Sequence, residues 1–269
     1  MKTRCFIYIS FKGTSYHGWQ VQPNSITVQE ILDHALSTIL NENICTVGAG
    51  RTDAGVHAPF FCAHFDSISA DPEKTNIVFR LNTFLPKDIS VSGIYKVLPE
   101  AHARFSAISR TYKYYITRVK DPFLEDLSWF VLGKIDINLM NRACGILLKH
   151  KDFTSFSRLH SDTKTNLCTI YSAMWEEIDN TLVFTIKADR FLRNMVRAIA
   201  GTMIGAGSGK INLEEFEDII ESGDRCRAGR SAPARGLFLV DIEYPPEIFV
   251  RDQGHSRFPT TVPPGSTTF

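Results

Sequence analysis

The chain lacks any long apolar run. No stretch of its 269 residues reaches about 18 consecutive apolar residues, the length that a membrane-spanning helix requires. The first four residues lead directly into a strand-like segment, where a signal peptide would have an apolar core. The sequence therefore predicts a cytoplasmic protein without a membrane partner.

Cysteine is scarce and dispersed. Only six cysteines occur, and no two of them form a Cys-x-x-Cys pair. A zinc knuckle or a disulfide framework is therefore not indicated, and reduced thiols are expected. Asp53 and His57 have a spacing that suits a metal ion on a helix, but Gly55 between them argues against a helix there. The sequence predicts no metal and no cofactor.

A strong excess of one charge is also missing. Lys and Arg number 30 against 29 Asp and Glu, so the net charge of +1 neither indicates nor excludes a nucleic acid. The basic residues nevertheless gather in three runs where acids are sparse, at 104–120, 190–197 and 225–235. Such runs are often only solvated surfaces, but together they would also suit RNA.

One short segment combines small side chains with charge. Residues 48–58 contain three glycines, three alanines and four polar residues, namely Arg51, Thr52, Asp53 and His57. Small residues allow close approach of a ligand, so this loop would present its polar groups in an open cleft. Arg51 and Asp53 are two residues apart and share a face of an extended chain. A tight turn with a surface Arg–Asp pair is the alternative interpretation.

Hydrophobic periodicity divides the chain into two successions of strands and helices. Strands are predicted at 4–11, 44–47, 59–65, 89–97, 110–119, 129–132, 169–178, 182–188 and 237–244, and helices at 27–40, 71–84, 136–148, 190–205 and 212–221. This order predicts an α+β fold of two similar halves, whose antiparallel or mixed sheets join into one long central sheet flanked by helices. We expect an N-terminal half at 1–105, a C-terminal half at 106–246 and a loosely ordered tail at 247–269.

The predicted loop at 12–23 is rich in aromatic and amide side chains. It includes Trp19 and Gln20. It either covers a buried tryptophan or touches nucleic-acid bases, and the residues alone favour neither interpretation.

The basic run at 190–197 falls at the start of a predicted helix. Arg190, Arg193 and Arg197 are then spaced i, i+3 and i+7 and form one basic stripe. Such a stripe faces solvent or phosphate, or turns one arginine towards Asp53 and keeps its carboxylate ionised. Both interpretations stay open at this point.

The predicted strand at 110–119 interleaves aromatic and basic side chains. Tyr112 and Tyr114 lie on one of its faces, and Lys113 lies on the other. RNA-binding proteins combine such residues, because unstacked bases bind aromatic rings and phosphates bind arginine or lysine. For any single tyrosine, packing in the core is the simpler interpretation.

Six segments, taken together, follow a known family pattern. They lie at 11–20, 48–58, 102–107, 110–114, 191–197 and 232–237. In order and spacing they resemble the TruA family of tRNA pseudouridine synthases, and the run Gly-Arg-Thr-Asp-Ala-Gly-Val-His within 48–58 is the most specific of them. The resemblance extends over about residues 4–244.

The resemblance implies an isomerase that forms pseudouridine at positions 38, 39 and 40 in the tRNA anticodon stem-loop. It further implies a homodimer that needs no cofactor or metal. Position by position, Asp53 is expected to be the nucleophile, Arg51 to help flip the uridine and Tyr112 to stack on the flipped base. Arg197 is expected to pair with Asp53, with Arg193 as the alternative. Further substrate contacts are expected from Arg104, Phe105, Arg110, Arg193, Ser161 and Lys164.

Several questions stay open from sequence. Asp53 would attack the ribose C1′, assist a glycal route or add to C6 of the base. The substrate could be another RNA, or the chain could be a tRNA-binding module without activity. The presence of Asp53 argues against such a silent module.

Overall fold

The structure is a computed structural model, which describes residues 2–70, 76–158 and 165–250. These residues form nine strands and five α-helices. The strands are β1 Thr3–Phe11, β2 Val47–Gly48, β3 Ala58–Ser67, β4 Ile89–Lys96, β5 Ser109–Thr117, β6 Trp129–Phe130, β7 Ile170–Ile178, β8 Thr181–Ala188 and β9 Leu237–Glu243. The helices are α1 Val28–Leu40, α2 Ile77–Phe84, α3 Ile137–Leu147, α4 Met195–Gly207 and α5 Leu213–Glu221. The predicted mixture of helices and sheets is confirmed.

The first sheet is antiparallel and has the order β2-β3-β1-β4. Its central strand β1 is buried on both faces from Cys5 to Ile9, as its apolar alternation on both sides predicted. The helix α1 begins where the sequence predicted, because Thr27 Oγ1 accepts the Glu30 N–H at its first turn.

The second sheet has the order β6-β5-β8-β7, and β9 also pairs with β5. The predicted hairpin of β7 and β8 is confirmed, and its turn residue Asp179 has a φ of 53° that Asp tolerates. Trp175 on β7 stacks on Phe184 of β8 with ring centroids 4.9 Å apart and helps form the core of this sheet. The helix α5 has the predicted reciprocal cap between Asn212 and Glu215.

Contacts between Cα atoms group the chain into two compact units. One comprises the residues up to Ile108 together with those from Leu239 onward, and the other comprises Ser109–Phe238. The division at 105 and 106 that the sequence suggested, with halves of similar construction, stays a prediction. Of the predicted tail, only 247–250 lie in the described residues, where the Leu98 N–H donates to the Ile248 carbonyl at 2.8 Å.

The strand predicted at 44–47 is wrong in its extent. Only Val47 and Gly48 pair with β3. Before them, the Ile44 N–H donates to Ser37 Oγ at 3.0 Å and the Thr46 N–H donates to Asp33 Oδ1 at 2.8 Å. Side chains of α1 therefore hold this segment in place of a neighbouring strand.

The start of the helix predicted at 190–205 is also wrong. The helix α4 begins at Met195, because Asn194 has a φ of 68° in the left-handed region, which interrupts a right-handed helix. The basic stripe therefore does not form, since Arg197 lies in α4 while Arg190 and Arg193 precede it. The helix predicted at 71–84 is seen as α2 from Ile77, and its proposed start at 71–72 lies outside the described residues.

Within the described ranges, no helix is both long and apolar enough to cross a membrane.

Replacing Asn212 by Ala is expected to lower the free energy of unfolding by about 1 kcal/mol, because the Glu215 N–H loses its acceptor at 2.9 Å. Urea unfolding would measure this change. Asn212→Asp keeps an acceptor oxygen at the same place and is the matched control, expected within a few tenths of a kcal/mol of the parent. Equal unfolding midpoints for all three proteins would contradict the role of this cap.

Candidate active site

The small-residue loop at 48–58 connects β2 to β3, as predicted. Its start is bound to β3 by the Ala49 N–H, which donates to the Cys62 carbonyl at 2.8 Å. Its far end turns back where the Val56 N–H donates to the Asp53 carbonyl at 3.2 Å, and Gly55 there has a φ of 79° that favours glycine. Arg51 is exposed and Asp53 is half-buried. Both residues therefore lie on a short loop with fixed ends.

The segment at 13–20 supports this loop through hydrogen bonds. The Gly13 N–H donates to Nδ1 of His57 at 3.0 Å, and the Gly55 N–H donates to the Tyr16 carbonyl at 3.2 Å. His57 is only 2% exposed. Its imidazole is therefore a buried acceptor of a backbone hydrogen bond.

The two segments also touch backbone to backbone. A Cβ added to Gly18 would lie 2.2 Å from the Thr52 carbonyl oxygen, and one added to Gly13 would lie 2.0 Å from that of Val56. Gly18 further has a φ of 87°. No side chain fits at either position, so glycine is required for this packing.

Gly50 differs from these glycines. A Cβ added to it would meet nothing within 4 Å. The space beside Arg51 is therefore open on that side of the loop.

Trp19 belongs to the core of the first unit. It is 2% exposed, and its ring lies 4.4 Å from that of Phe61. A Cβ on Gly48 would come within 2.4 Å of its indole nitrogen. Of the two interpretations of the loop at 12–23, the covering role therefore holds for Trp19.

Gln20, by contrast, is exposed beside the loop. Arg51 donates its Nε hydrogen to Oε1 of Gln20, which orients the guanidinium. No individual role is predicted for Gln20 from the sequence, although it lies in a segment that carries the family resemblance. A hydrogen bond between residues 31 positions apart leaves no local pattern that would reveal it.

The two tyrosines predicted on one face of β5 have different environments. Tyr114 is fully buried and donates its hydroxyl to the Pro233 carbonyl at 2.8 Å, so it belongs to the core. Tyr112 is only half-buried, and its ring contacts Phe191 edge to face at 5.0 Å. Only Tyr112 therefore keeps ring surface for another partner.

Arg197 forms two hydrogen bonds with the backbone of Ala232, one through its side chain and one through its carbonyl. Its Nε donates to the Ala232 carbonyl at 2.8 Å, and the Ala232 N–H donates to the Arg197 carbonyl at 2.9 Å. Arg193 is exposed, and its carbonyl accepts the Arg158 N–H at 3.1 Å. The Arg197 guanidinium is thus oriented by the backbone at Ala232.

The remaining predicted contact residues lie on both units. Arg110 on β5 donates Nη1 to the Asp189 carbonyl at 2.8 Å. Arg104 and Phe105 are exposed on a turn after β4. Ser161 and Lys164 lie outside the described residues.

The structure brings Arg51 and Asp53 into one loop of the first unit, and it places Tyr112 and Arg197 in the second. Each unit is defined by its own contacts. The pairing of Arg197 with Asp53 stays a prediction.

One group of metal-ligating side chains occurs in the part of the chain that the structure describes. His150, Glu217 and Glu221 bring ligand atoms within 4.8 Å of one another, and His150 Nε2 lies 3.3 Å from Glu217 Oε1. None of these residues belongs to the predicted site. The hydrogen bond between imidazole and carboxylate accounts for the approach of the first two.

Comparison with known proteins identifies the class first. The profile of a family described as tRNA pseudouridine synthase matches residues 143–245. That region contains α4 with Arg197, but it does not include Asp53.

Similarity to individual proteins extends over nearly the whole chain. A tRNA pseudouridine synthase A of Bacteroides thetaiotaomicron is 51% identical over 265 residues, covering 97% of this chain and 98% of the relative. Those of Bacteroides fragilis and Acetivibrio thermocellus are 53% and 40% identical, covering 91% and 88% of this chain and 98% of each relative. The chain therefore belongs to the tRNA pseudouridine synthase A family, whose members are isomerases that modify RNA. The family predicted from the six segments is confirmed.

Gly18→Ala is expected to lower the free energy of unfolding by at least about 1 kcal/mol, because Ala is strained at this positive φ and its Cβ would collide with the Thr52 carbonyl. Gly50→Ala is the matched control, since the same methyl group meets open space and should leave stability within about 0.5 kcal/mol of the parent. Urea unfolding of both variants tests the difference. Equal losses would show that the backbone contact at Gly18 is not restrictive.

Proposed function

We propose that the protein isomerises uridine to pseudouridine at positions 38, 39 and 40 in the anticodon stem-loop of tRNA. Family membership at 51% identity over 97% of the chain supports the reaction class. The observation that carries the proposal is Asp53, a half-buried carboxylate on a loop whose ends and flank are bound by backbone hydrogen bonds. Such a loop holds a reactive group in one position before the substrate arrives.

Asp53 acts as the nucleophile in this proposal. The reaction breaks the bond between the ribose C1′ and N1 of uracil, turns the base within the site and joins C5 to C1′. The hydrogen on C5 is released to water, while N1 gains a proton. A carboxylate without a metal suits attack at a sugar carbon, and the glycal route and addition to C6 are the alternatives.

The base must leave its stack before it can react, which costs a few kcal/mol. Arg51 would occupy part of the space that the base vacates, with its guanidinium oriented by Gln20. The accessible part of the Tyr112 ring would stack on the flipped uracil. These contacts would offset the cost of unstacking.

Arg197 would pair with Asp53. Its Nε is bound to the Ala232 carbonyl at 2.8 Å, which sets the direction of its guanidinium. A neighbouring arginine favours the charged form of a carboxylate. The exposed Arg193 is the alternative partner, and would otherwise contact phosphate together with Arg104 and Arg110.

The assembly around this site is part of the same proposal. The protein would act in the cytoplasm as a homodimer, with the two sheets joined into one long central sheet. Phe105, Ser161 and Lys164 would complete the contacts with tRNA. Two competing functions remain: modification of an RNA other than tRNA, and binding of tRNA without catalysis. The following assay separates them from the proposed reaction.

Release of tritium from tRNA labelled at C5 of uridine tests the reaction. Asp53→Asn is expected to reduce release at least about a thousandfold, because the nucleophile is lost, while tRNA binding stays within a few fold. Asp179→Asn makes the same chemical change in the turn between β7 and β8, where Asn also tolerates the positive φ. This control should release tritium at the parent rate.

The possible results separate the alternatives. Full release by Asp53→Asn would refute the nucleophile assignment alone. Binding of tRNA without release by the parent protein would indicate a silent module. Release from a ribosomal RNA fragment but not from tRNA would indicate another substrate.

Affinity for tRNA is expected to fall at least about tenfold between 50 and 200 mM salt. The reason is that arginines which bind phosphates release the counterions condensed on the RNA, and this release is less favourable at high salt. Filter binding across this range measures the slope. Arg104→Ala should reduce the slope by about one if this side chain contacts a phosphate. A flat salt profile for the parent would contradict binding through the basic residues.

A further inference from the structure

A second polar cluster in the first unit fixes the backbone of the turn at 101–106. Arg4 forms two hydrogen bonds of 2.8 Å with Asp66 and donates Nη1 to the Ala101 carbonyl at 3.1 Å. Two residues later, the Ala103 N–H donates to Nδ1 of His64 at 3.1 Å. Tyr244 donates its hydroxyl to the carbonyl of Ala103 at 2.5 Å. The entrance of the turn is therefore bound on three sides.

The turn itself is closed by His102. Its Nδ1 accepts the Arg104 N–H at 3.1 Å and, more weakly, the Phe105 N–H at 3.4 Å. Its carbonyl accepts the Ser106 N–H, and its own N–H donates to Ser106 Oγ, both at 2.9 Å. One imidazole thus binds the backbone of both residues at the tip.

The tip presents an aromatic and a basic side chain together. Phe105 is 75% exposed, whereas most phenylalanines are buried in a core. The guanidinium carbon of Arg104 lies 5.4 Å from the centre of the Phe105 ring, and the centre of the His102 ring lies 4.4 Å from it. A ring supported in this way, beside a positive charge, offers a stacking surface for a nucleobase next to a phosphate contact.

We propose that His102 and His64 are positioning residues for RNA. By accepting backbone N–H groups through Nδ1, they set the direction in which Arg104 and Phe105 meet the substrate. This inference rests on the proposed function, because it assigns these two tip residues to RNA binding. Neither histidine needs to touch the RNA.

Each imidazole must be neutral to do this, because a protonated Nδ1 is a donor and would repel the backbone N–H. The two rings lie 4.5 Å apart, edge to face. Burial, followed by His102 and Arg4, lowers the pKa of His64 to about 4, with Asp66 acting in the opposite direction. Burial, Arg4 and Arg104 also lower the pKa of His102. Both rings are therefore neutral near pH 7.

The sign of the pH effect follows from these lowered pKa values. An unfolded chain has histidines with a pKa of about 6.5, so below that pH it takes up protons that the folded turn resists. The stabilisation of the turn should therefore be complete above about pH 6.5 and decrease as the pH falls towards 4.

Two variants of His102 separate positioning from simple packing. His102→Phe keeps an aromatic ring beside His64 and Phe105 but removes the acceptor. His102→Asn loses the ring but places Oδ1 where Nδ1 was, so it can still accept the Arg104 N–H. We expect His102→Phe to raise the KM for tRNA about fivefold to tenfold with kcat within about twofold, and His102→Asn to stay within about threefold of the parent KM.

A double-mutant comparison tests whether the effect passes through the tip. In a chain with Arg104→Ala and Phe105→Ala, adding His102→Phe should change KM by less than about twofold. An undiminished effect in that background would overturn the proposal. So would a His102→Asn variant as impaired as His102→Phe.

Amide hydrogen exchange of Arg104 and Phe105, whose N–H groups donate to His102 Nδ1, tests the turn without any RNA. Corrected for intrinsic rates, protection should be lost in His102→Phe, kept in His102→Asn and reduced in the parent protein between pH 6.5 and 4. Unchanged protection in His102→Phe would overturn the proposal even if tRNA is the substrate. Failure of the proposed function is recognised separately, because the parent protein itself would then release no tritium from tRNA.

Discussion

Backbone packs directly against backbone where residues 13–18 meet residues 52–56. Gly13 and Gly18 allow carbonyl groups to approach where any Cβ would lie about 2 Å away, and a hydrogen bond to His57 reinforces the contact. A loop held by its backbone does not depend on the rotamers of its side chains. The backbone position of Asp53 therefore follows from the glycines that surround it.

Three histidines of the first unit share one structural purpose. His57, His64 and His102 each use Nδ1 to accept a backbone N–H, at 3.0 to 3.1 Å. A neutral imidazole offers one ring nitrogen as a hydrogen-bond acceptor, and in these three residues that acceptor is occupied by backbone. These residue types suggest acid–base or metal chemistry in a sequence, but here two of them are buried and all three organise loops.

The second unit combines restrained and accessible groups in a similar way. Tyr114 and Tyr112 belong to the same strand, yet one is enclosed by Pro233 and the other keeps accessible ring surface. Arg197 is bound at Nε, whereas Arg193 is exposed. In each pair the residue type is identical and only the surroundings differ. The surroundings therefore decide how accessible each side chain is.

The sequence by itself determined the elements that depend on neighbouring residues and the segment that contains the candidate nucleophile. Alternation predicted β1 and its central place, the turn residues predicted the β7–β8 hairpin, and the capping residues predicted α5, because each of these signals is local. Six short segments sufficed to identify the family.

Only the tertiary structure decided which polar groups meet. The left-handed φ of Asn194 prevents the predicted arginine stripe, and hydrogen bonds to α1 hold most of the segment that was predicted as a strand before Gly48. The structure also shows the hydrogen bonds of Gln20 to Arg51 and of His102 to the Arg104 N–H. His57 accepts a hydrogen bond from Gly13, which is 44 positions away in the sequence, and His64 accepts one from Ala103, which is 39 positions away. Such contacts depend on how strands and loops are stacked in space, and no periodicity along the chain encodes them.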